Sequence, residues 1–176
     1  MIRRFRDIHT HGAPSSDAVV NLRPGGSVVE GGYFSAGIHP WDTPCGEEAF
    51  KWLESIACES HVVAIGECGL DALRGAQLAE QETVFIRQAR LAEALEKPLI
   101  IHCVRAWHRL LALRPQLPDN VRLIVHGFRG KPALARQLLA AGFDLSFGEH
   151  FNSESFSLTP SDRRFLESDE GKYPQI

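Results

Sequence analysis

The sequence predicts an α/β fold with a largely parallel sheet, and three observations carry that expectation. Apolar runs of strand length alternate with segments of helical periodicity along nearly the whole chain. The runs at 61–66, 99–104 and 121–126 are apolar with little alternation, as expected of strands covered on both faces by helices. Each of them also carries a metal-ligand type of residue at or next to its end: Glu67, His102 and His126. In barrels of parallel strands, functional groups gather at those C-terminal ends.

Taken in order, residues 6–11 read as a first strand containing Asp7-Ile8-His9-Thr10-His11. Strand side chains alternate, so His9 and His11 project to one side, a natural start for a divalent-metal site. The plainer alternative is one surface histidine and one that caps a turn before Gly12. Residues 12–16 form a loop, 18–22 a short strand, and Pro24-Gly25-Gly26 a turn. Residues 34–38 form a small strand that runs into His39-Pro40. A residue before proline is held extended or in a turn, so His39 stands where that strand stops, beside the site or solvated in a loop.

Residues 46–59 place Ala49, Phe50, Leu53, Ile56 and Ala57 at helical spacing, with Trp52 at the edge. The 61–66 strand follows, and Glu67 stands directly behind Gly66. A carboxylate buried there requires a cation or metal beside it; the alternative is a surface glutamate on a loop. Residues 77–96 are the most regular helix, with Val84, Phe85, Gln88, Ala89, Leu91, Ala92 and Leu95 recurring at three- and four-residue intervals before Lys97-Pro98 stops it. Then come the 99–104 strand with His102, a helix over 106–113, a turn at 117–120 and the 121–126 strand ending in His126. A helix over 131–141 has Gly142 as its C′ stop. Strands over 143–148 and 164–169 follow, the last ending in Asp169.

With 176 residues, 44% of them hydrophobic and 23% charged, residues 1–176 read as a single domain able to bury roughly 70% of its unfolded surface. The formal charge of −3 excludes a protein drawn to nucleic acid by a global field; a polyanion must be held by local basic groups or by metal. Cys45, Cys58, Cys68 and Cys103 lack zinc-finger spacing and read as reduced thiols of a cytoplasmic protein, with Cys68 and Cys103 in buried strands. No apolar run follows the basic first residues, and none has the ~20 residues of a membrane span, so neither a signal peptide nor a membrane partner is expected.

Six metal-ligand residues therefore fall at strand ends: His9, His11, Glu67, His102, His126 and Asp169. Imidazoles mixed with carboxylates suit Zn²⁺, Mn²⁺ or Fe²⁺, and carboxylates alone suit Mg²⁺. One catalytic zinc keeps about three protein ligands, so six residues suit two divalent ions bridged by Glu67. The expected chemistry is hydrolysis by a metal-activated water, with Glu67 and Asp169 as the catalytic carboxylates and Asp169 as general base as well as ligand.

The segments Asp7-Ile-His9-Thr-His11, Gly37-Ile-His39-Pro40, Gly66-Glu67-Cys-Gly69-Leu70-Asp71 with Gln81-Glu82-x-x-Phe85, Ile101-His102, Val125-His126-Gly-Phe and Glu167-Ser-Asp169 resemble those of the TatD-like deoxyribonucleases, metal-dependent hydrolases of the amidohydrolase type. The resemblance runs from Asp7 to Asp169. It implies a TIM-type β/α barrel, a DNA or other phosphoester substrate, the same six ligands, and His39 beside the substrate phosphate. Cys103-Val104-Arg105 replaces a serine-arginine-aspartate run, and Arg129 replaces a serine, so Arg105 and Arg129 become candidate substrate-binding residues, the alternative for each being a solvated surface arginine. The short 11–39 stretch and the end soon after Asp169 imply an incomplete or distorted barrel of about seven strands, its open edge covered by the tail or by another subunit of a homo-oligomer. Two other functions fit the same site: hydrolysis of a small amide, lactone or phosphate ester, and a non-catalytic barrel that binds metal or a partner.

Overall fold

The computed structural model describes residues 2–175. Its strands are β1 (Asp7–Thr10), β2 (Ala18–Leu22), β3 (Tyr33–Ala36), β4 (Val62–Asp71), β5 (Leu99–Val104), β6 (Leu123–Val125), β7 (Asp144–Phe147) and β8 (Arg164–Leu166). The helices are α1 (Glu47–Ile56), α2 (Leu78–Ala94), α3 (Trp107–Leu113), α4 (Pro132–Ala140) and α5 (Ser153–Leu158). The eight strands pair in sequence order and all in parallel. Crossovers 11–17 and 23–32 carry no helix, in keeping with the shortness of that stretch. Among the described residues no helix is long and apolar enough to cross a membrane.

The ladder has eight strands where the chain length suggested about seven, and its ends nearly meet. Asp169, just beyond β8, bridges in parallel to Thr10 of β1. Its N–H donates to His9 O at 3.0 Å, and its carbonyl accepts from His11 N–H at 3.1 Å. Asp7 reinforces the seam, accepting from Ser168 Oγ at 2.6 Å. The tail adds Tyr173, whose hydroxyl donates to Arg6 O beside β1 at 2.9 Å.

Two apolar layers follow from the strand pattern. Ile8, Val19, Val63, Ile100, Ile124 and Phe165 come from six different strands and pack together, so they fill the barrel, with Ile2 and Phe5 at its N-terminal end. The larger cluster joins outward strand residues such as Phe34, Leu70 and Phe147 to Phe50, Leu53, Phe85 and Leu138 of the helices. Each large side chain so buried stabilises the fold by roughly 1.5–3 kcal/mol. Along β5 and β6 the inner apolar residue stands two positions before the histidine, Ile100 before His102 and Ile124 before His126, so parity points both imidazoles to the barrel mouth.

α2 does more than cover the sheet. Gln88, fully buried, accepts from Ile38 N–H at 2.7 Å and donates to Ile38 O at 3.0 Å. Gln81 likewise accepts from Asp71 N–H at 2.7 Å and donates to Asp71, Arg74 and Ala76 carbonyls at 2.8–2.9 Å. These glutamines, seven residues apart on one helix face, hold the backbone next to His39 and at the end of β4. Replacing Gln88 by Leu would leave two buried backbone groups of Ile38 unpaired, each costing about 1–3 kcal/mol. Gln88→Leu is expected to lose about 2 kcal/mol or more in urea unfolding; an unchanged midpoint would show that the clamp is dispensable.

Candidate metal centre

Glu67 is the hub of the site. Its backbone N–H donates to Asn21 Oδ1 at 2.7 Å, which fixes the carboxylate inside the mouth of the barrel. Oε1 lies 2.7 Å from His102 Nδ1, 2.7 Å from His126 Nε2 and 3.2 Å from His39 Nε2. Oε2 lies 3.4 Å from His9 Nε2 and 3.6 Å from His11 Nε2. Asp169 closes the ring from the other side, its Oδ1 3.7 Å from Nε2 of both His9 and His11. The six residues read from strand ends thus converge, and His39 joins them.

The outer partners fix which nitrogen faces the pocket. His126 Nδ1 is 3.3 Å from Glu167 Oε1, and His102 Nε2 is 3.3 Å from Asp71 Oδ2. Each carboxylate takes the far N–H and leaves the other ring nitrogen turned inward. His39 differs: Trp41 N–H donates to its Nδ1 at 3.1 Å, so its neutral ring carries the proton on Nε2 and is a donor. Burial lowers the pKa of His39, which favours that neutral form.

This arrangement suits a cation. His102 Nδ1 and His126 Nε2, 3.3 Å apart, share Glu67 Oε1, and three acceptors so close repel unless a proton or metal ion joins them. Burial opposes charge on His126, but Glu67 and Glu167 raise its pKa well above the usual histidine range. Burial likewise opposes ionisation of Glu67, yet the His126 charge and hydrogen bonds from His102, His11 and His126 hold it well below the usual carboxylate range. His9 gives the sharper test. It is fully buried, and neither ring nitrogen has a hydrogen-bond partner. Its 3.4 and 3.7 Å separations from Glu67 and Asp169 are too long for good hydrogen bonds. They approach the ~3.4 Å between two ligands that share a tetrahedral ion at ~2.1 Å. The donors here fit a divalent ion, and three groups have suitably close atoms: His9 with His11 and Glu67, His9 with His126 and Asp169, and His39 with Glu67 and His102.

A family model described as TatD related DNase matches residues 16–171. The chain belongs to this family. The 3'-5' ssDNA/RNA exonuclease TatD of Cronobacter turicensis is 39% identical over 150 residues, covering 79% of this chain and 57% of that protein. The protein of the same name from Klebsiella pneumoniae is 34% identical over 157 residues, covering 81% and 59%. The chain therefore spans somewhat more than half the length of the curated relatives it matches. In fold it is similar to the TatD homologue YjjV of Escherichia coli, with a TM-score of 0.77 and 23% identity, over 96% of this chain and 80% of that one. A TatD family hydrolase of Entamoeba histolytica gives 0.68 and 21%, over 86% and 59%. His9 and His11 precede the matched TatD span, so their place in the site rests on the geometry above.

The two arginines fare differently. Arg129 is exposed and lines a second cavity with Gly127, Glu149, His150, Glu167 and Asp169, adjoining the metal centre. Arg105 is exposed at the end of β5 and is not among the residues lining the metal pocket, whose cation is Arg23. With φ of +51°, Arg105 turns the chain at the entry to α3. Sequence reasoning gave no role to Asp71, Glu167, Asn21 or Trp41. Parity held a signal for one of them: Asp71 stands four residues after Glu67 on the same strand, whereas Glu167 and Asp169 lie beyond β8.

Proposed function

We propose that the protein is a divalent-metal-dependent phosphodiester hydrolase acting on the ends of DNA. The observation that carries this reading is the convergence of His9, His11, His102, His126 and Asp169 on the two oxygens of Glu67. The names of its TatD relatives support the substrate class, since those proteins are called ssDNA/RNA exonucleases. The six residues would hold two ions, Zn²⁺, Mn²⁺ or Mg²⁺, one group on each side of Glu67. Such ions supply a water of lowered pKa and offset charge on phosphoryl oxygens.

The chain's own residues do the rest. Asp169 has a side chain about one-third exposed (32%) at the cavity, in reach of solvent, and accepts the proton of the attacking water. His39, with its proton on Nε2, donates to a non-bridging phosphate oxygen. Arg23 at the rim adds a cation, although Asp42 already engages it through a hydrogen bond of 2.9 Å from Nε. The cavity, about 140 Å³, is lined by His11, His39, Glu67, His102, His126 and Asp169, polar groups suited to a phosphodiester. A 5′-labelled single-stranded oligonucleotide with Mn²⁺ should shorten from its 3′ end and stay intact in EDTA. Turnover of small amides, lactones or phosphate monoesters with the oligonucleotide untouched would overturn the proposal.

A further inference from the structure

We propose that Trp41, with Arg74, forms a stacking subsite for an unpaired nucleobase next to the scissile phosphodiester. This rests on the phosphodiesterase reading above and names the part of the substrate that reading leaves unplaced. The metal pocket is lined by imidazoles and charged groups that suit the phosphate, and Trp41 is the one lining side chain that offers a base an indole face. Trp41 is 42% exposed, unusual for an indole in a fold that buries its other aromatic rings well, and Leu73 beside Asp71 is 62% exposed.

Trp41 is exposed but not loose. Its Nε1 donates to Asp71 Oδ2 at 2.6 Å. The ring stands edge-on to His39, centroids 4.7 Å apart at 77°, and to His102 at 6.1 Å and 76°. Its turn is tied to the 72–76 loop by the Ala76 N–H, which donates to Thr43 Oγ1 at 3.0 Å. A flat π face is thus held in one orientation beside two site histidines, which limits the entropy lost when a ligand stacks.

Arg74 shows what that face accepts. Its guanidinium lies 4.4 Å from the Trp41 ring centroid, and among the described residues it is in no ion pair. A stacked base gains more than an exposed cation over an indole, so a base displaces Arg74 from the ring. The freed guanidinium then has a phosphate of the same strand as its partner. Indole stacking tolerates any base but requires it unpaired, which selects single strands over duplex.

The test uses the full chain and two 5′-fluorescein single-stranded decamers, one ordinary and one with abasic residues at its last two 3′ positions. Binding is read by anisotropy in EDTA, and hydrolysis separately with Mn²⁺. Wild type should bind the ordinary decamer roughly 5- to 150-fold more tightly, the range expected for one stacked base. Trp41→Ala should bind both alike, and Trp41→Phe, which keeps a ring but not the Nε1 donor, should retain most of the discrimination. Equal binding of both decamers by wild type, or binding of neither, overturns the subsite even if no variant folds. Loss of discrimination in Trp41→Phe as complete as in Trp41→Ala also overturns it, since the bond to Asp71 would then be what matters. Discrimination in binding without hydrolysis keeps the subsite and removes the hydrolase reading; hydrolysis without discrimination removes the subsite alone.

Discussion

Replacement of Glu67 by Gln should more than halve metal loading and lower kcat/KM on a single-stranded oligonucleotide by on the order of 10³-fold or more, the loss expected when several kcal/mol of charge stabilisation disappear. No other side chain in the pocket meets both halves of the site: Oε1 faces His102, His126 and His39, and Oε2 faces His9 and His11. The amide keeps the volume and one acceptor, but its NH₂ end has no lone pair to bridge with. After dialysis against Mn²⁺ or Zn²⁺ and removal of excess, elemental analysis should find about two ions per wild-type chain and fewer than one in Glu67→Gln. Removing the carboxylate also leaves His126 without one of the two anions that raise its pKa. A variant loaded like wild type would show that Glu67 is a hydrogen-bonding hub only, and the bimetal reading would fall.

The site was largely legible in the sequence because barrel geometry turns strand ends into a shared address. Of the six candidate ligands, His9 and His102 lie near the ends of β1 and β5, His11 and His126 just after β1 and β6, and Asp169 just beyond β8, while Glu67 stands midway along β4. Polar groups that serve other polar groups were harder to read. Gln81 and Gln88 sit at helical spacing among apolar residues, and nothing in that periodicity reveals that their amides satisfy loop backbone. Glu167 is fully buried, with one oxygen accepting from Gly127 N–H at 2.7 Å. In the sequence it stands beside Ser168 and Asp169 as one more acid. Arg105 illustrates the converse, since residue type suggested an anion contact while the residue is exposed and does not line the metal pocket. The seam between β1 and β8 was also hidden, because it is made by backbone and polar groups of Ser168 and Asp169 and not by an apolar run.

The boundary of β4 points to a second large effect. The apolar run ends at Gly66, yet the strand continues to Asp71 and keeps pairing with β5, with Gly69 opposite His102 and Asp71 opposite Val104. Gly69 makes that possible. Its φ is +146°, a region that L side chains avoid, and a Cβ there would be driven into the His102 carbonyl oxygen, well inside van der Waals contact. Neither partner can give way, because the obstacle is backbone of a central, largely buried strand rather than a mobile side chain. Nearby Gly37 is also tightly placed, a Cβ on it lying 2.6 Å from Gly66 C. Gly69→Ala should therefore cost at least about 3 kcal/mol, adding backbone strain to the collision. It should also displace His102 from Glu67, so any folded fraction should bind metal more weakly than wild type. Chemical denaturation and elemental analysis of the same sample read both effects. A wild-type unfolding midpoint would mean that β4 and β5 separate there without loss, and that their close approach does not hold His102 against Glu67.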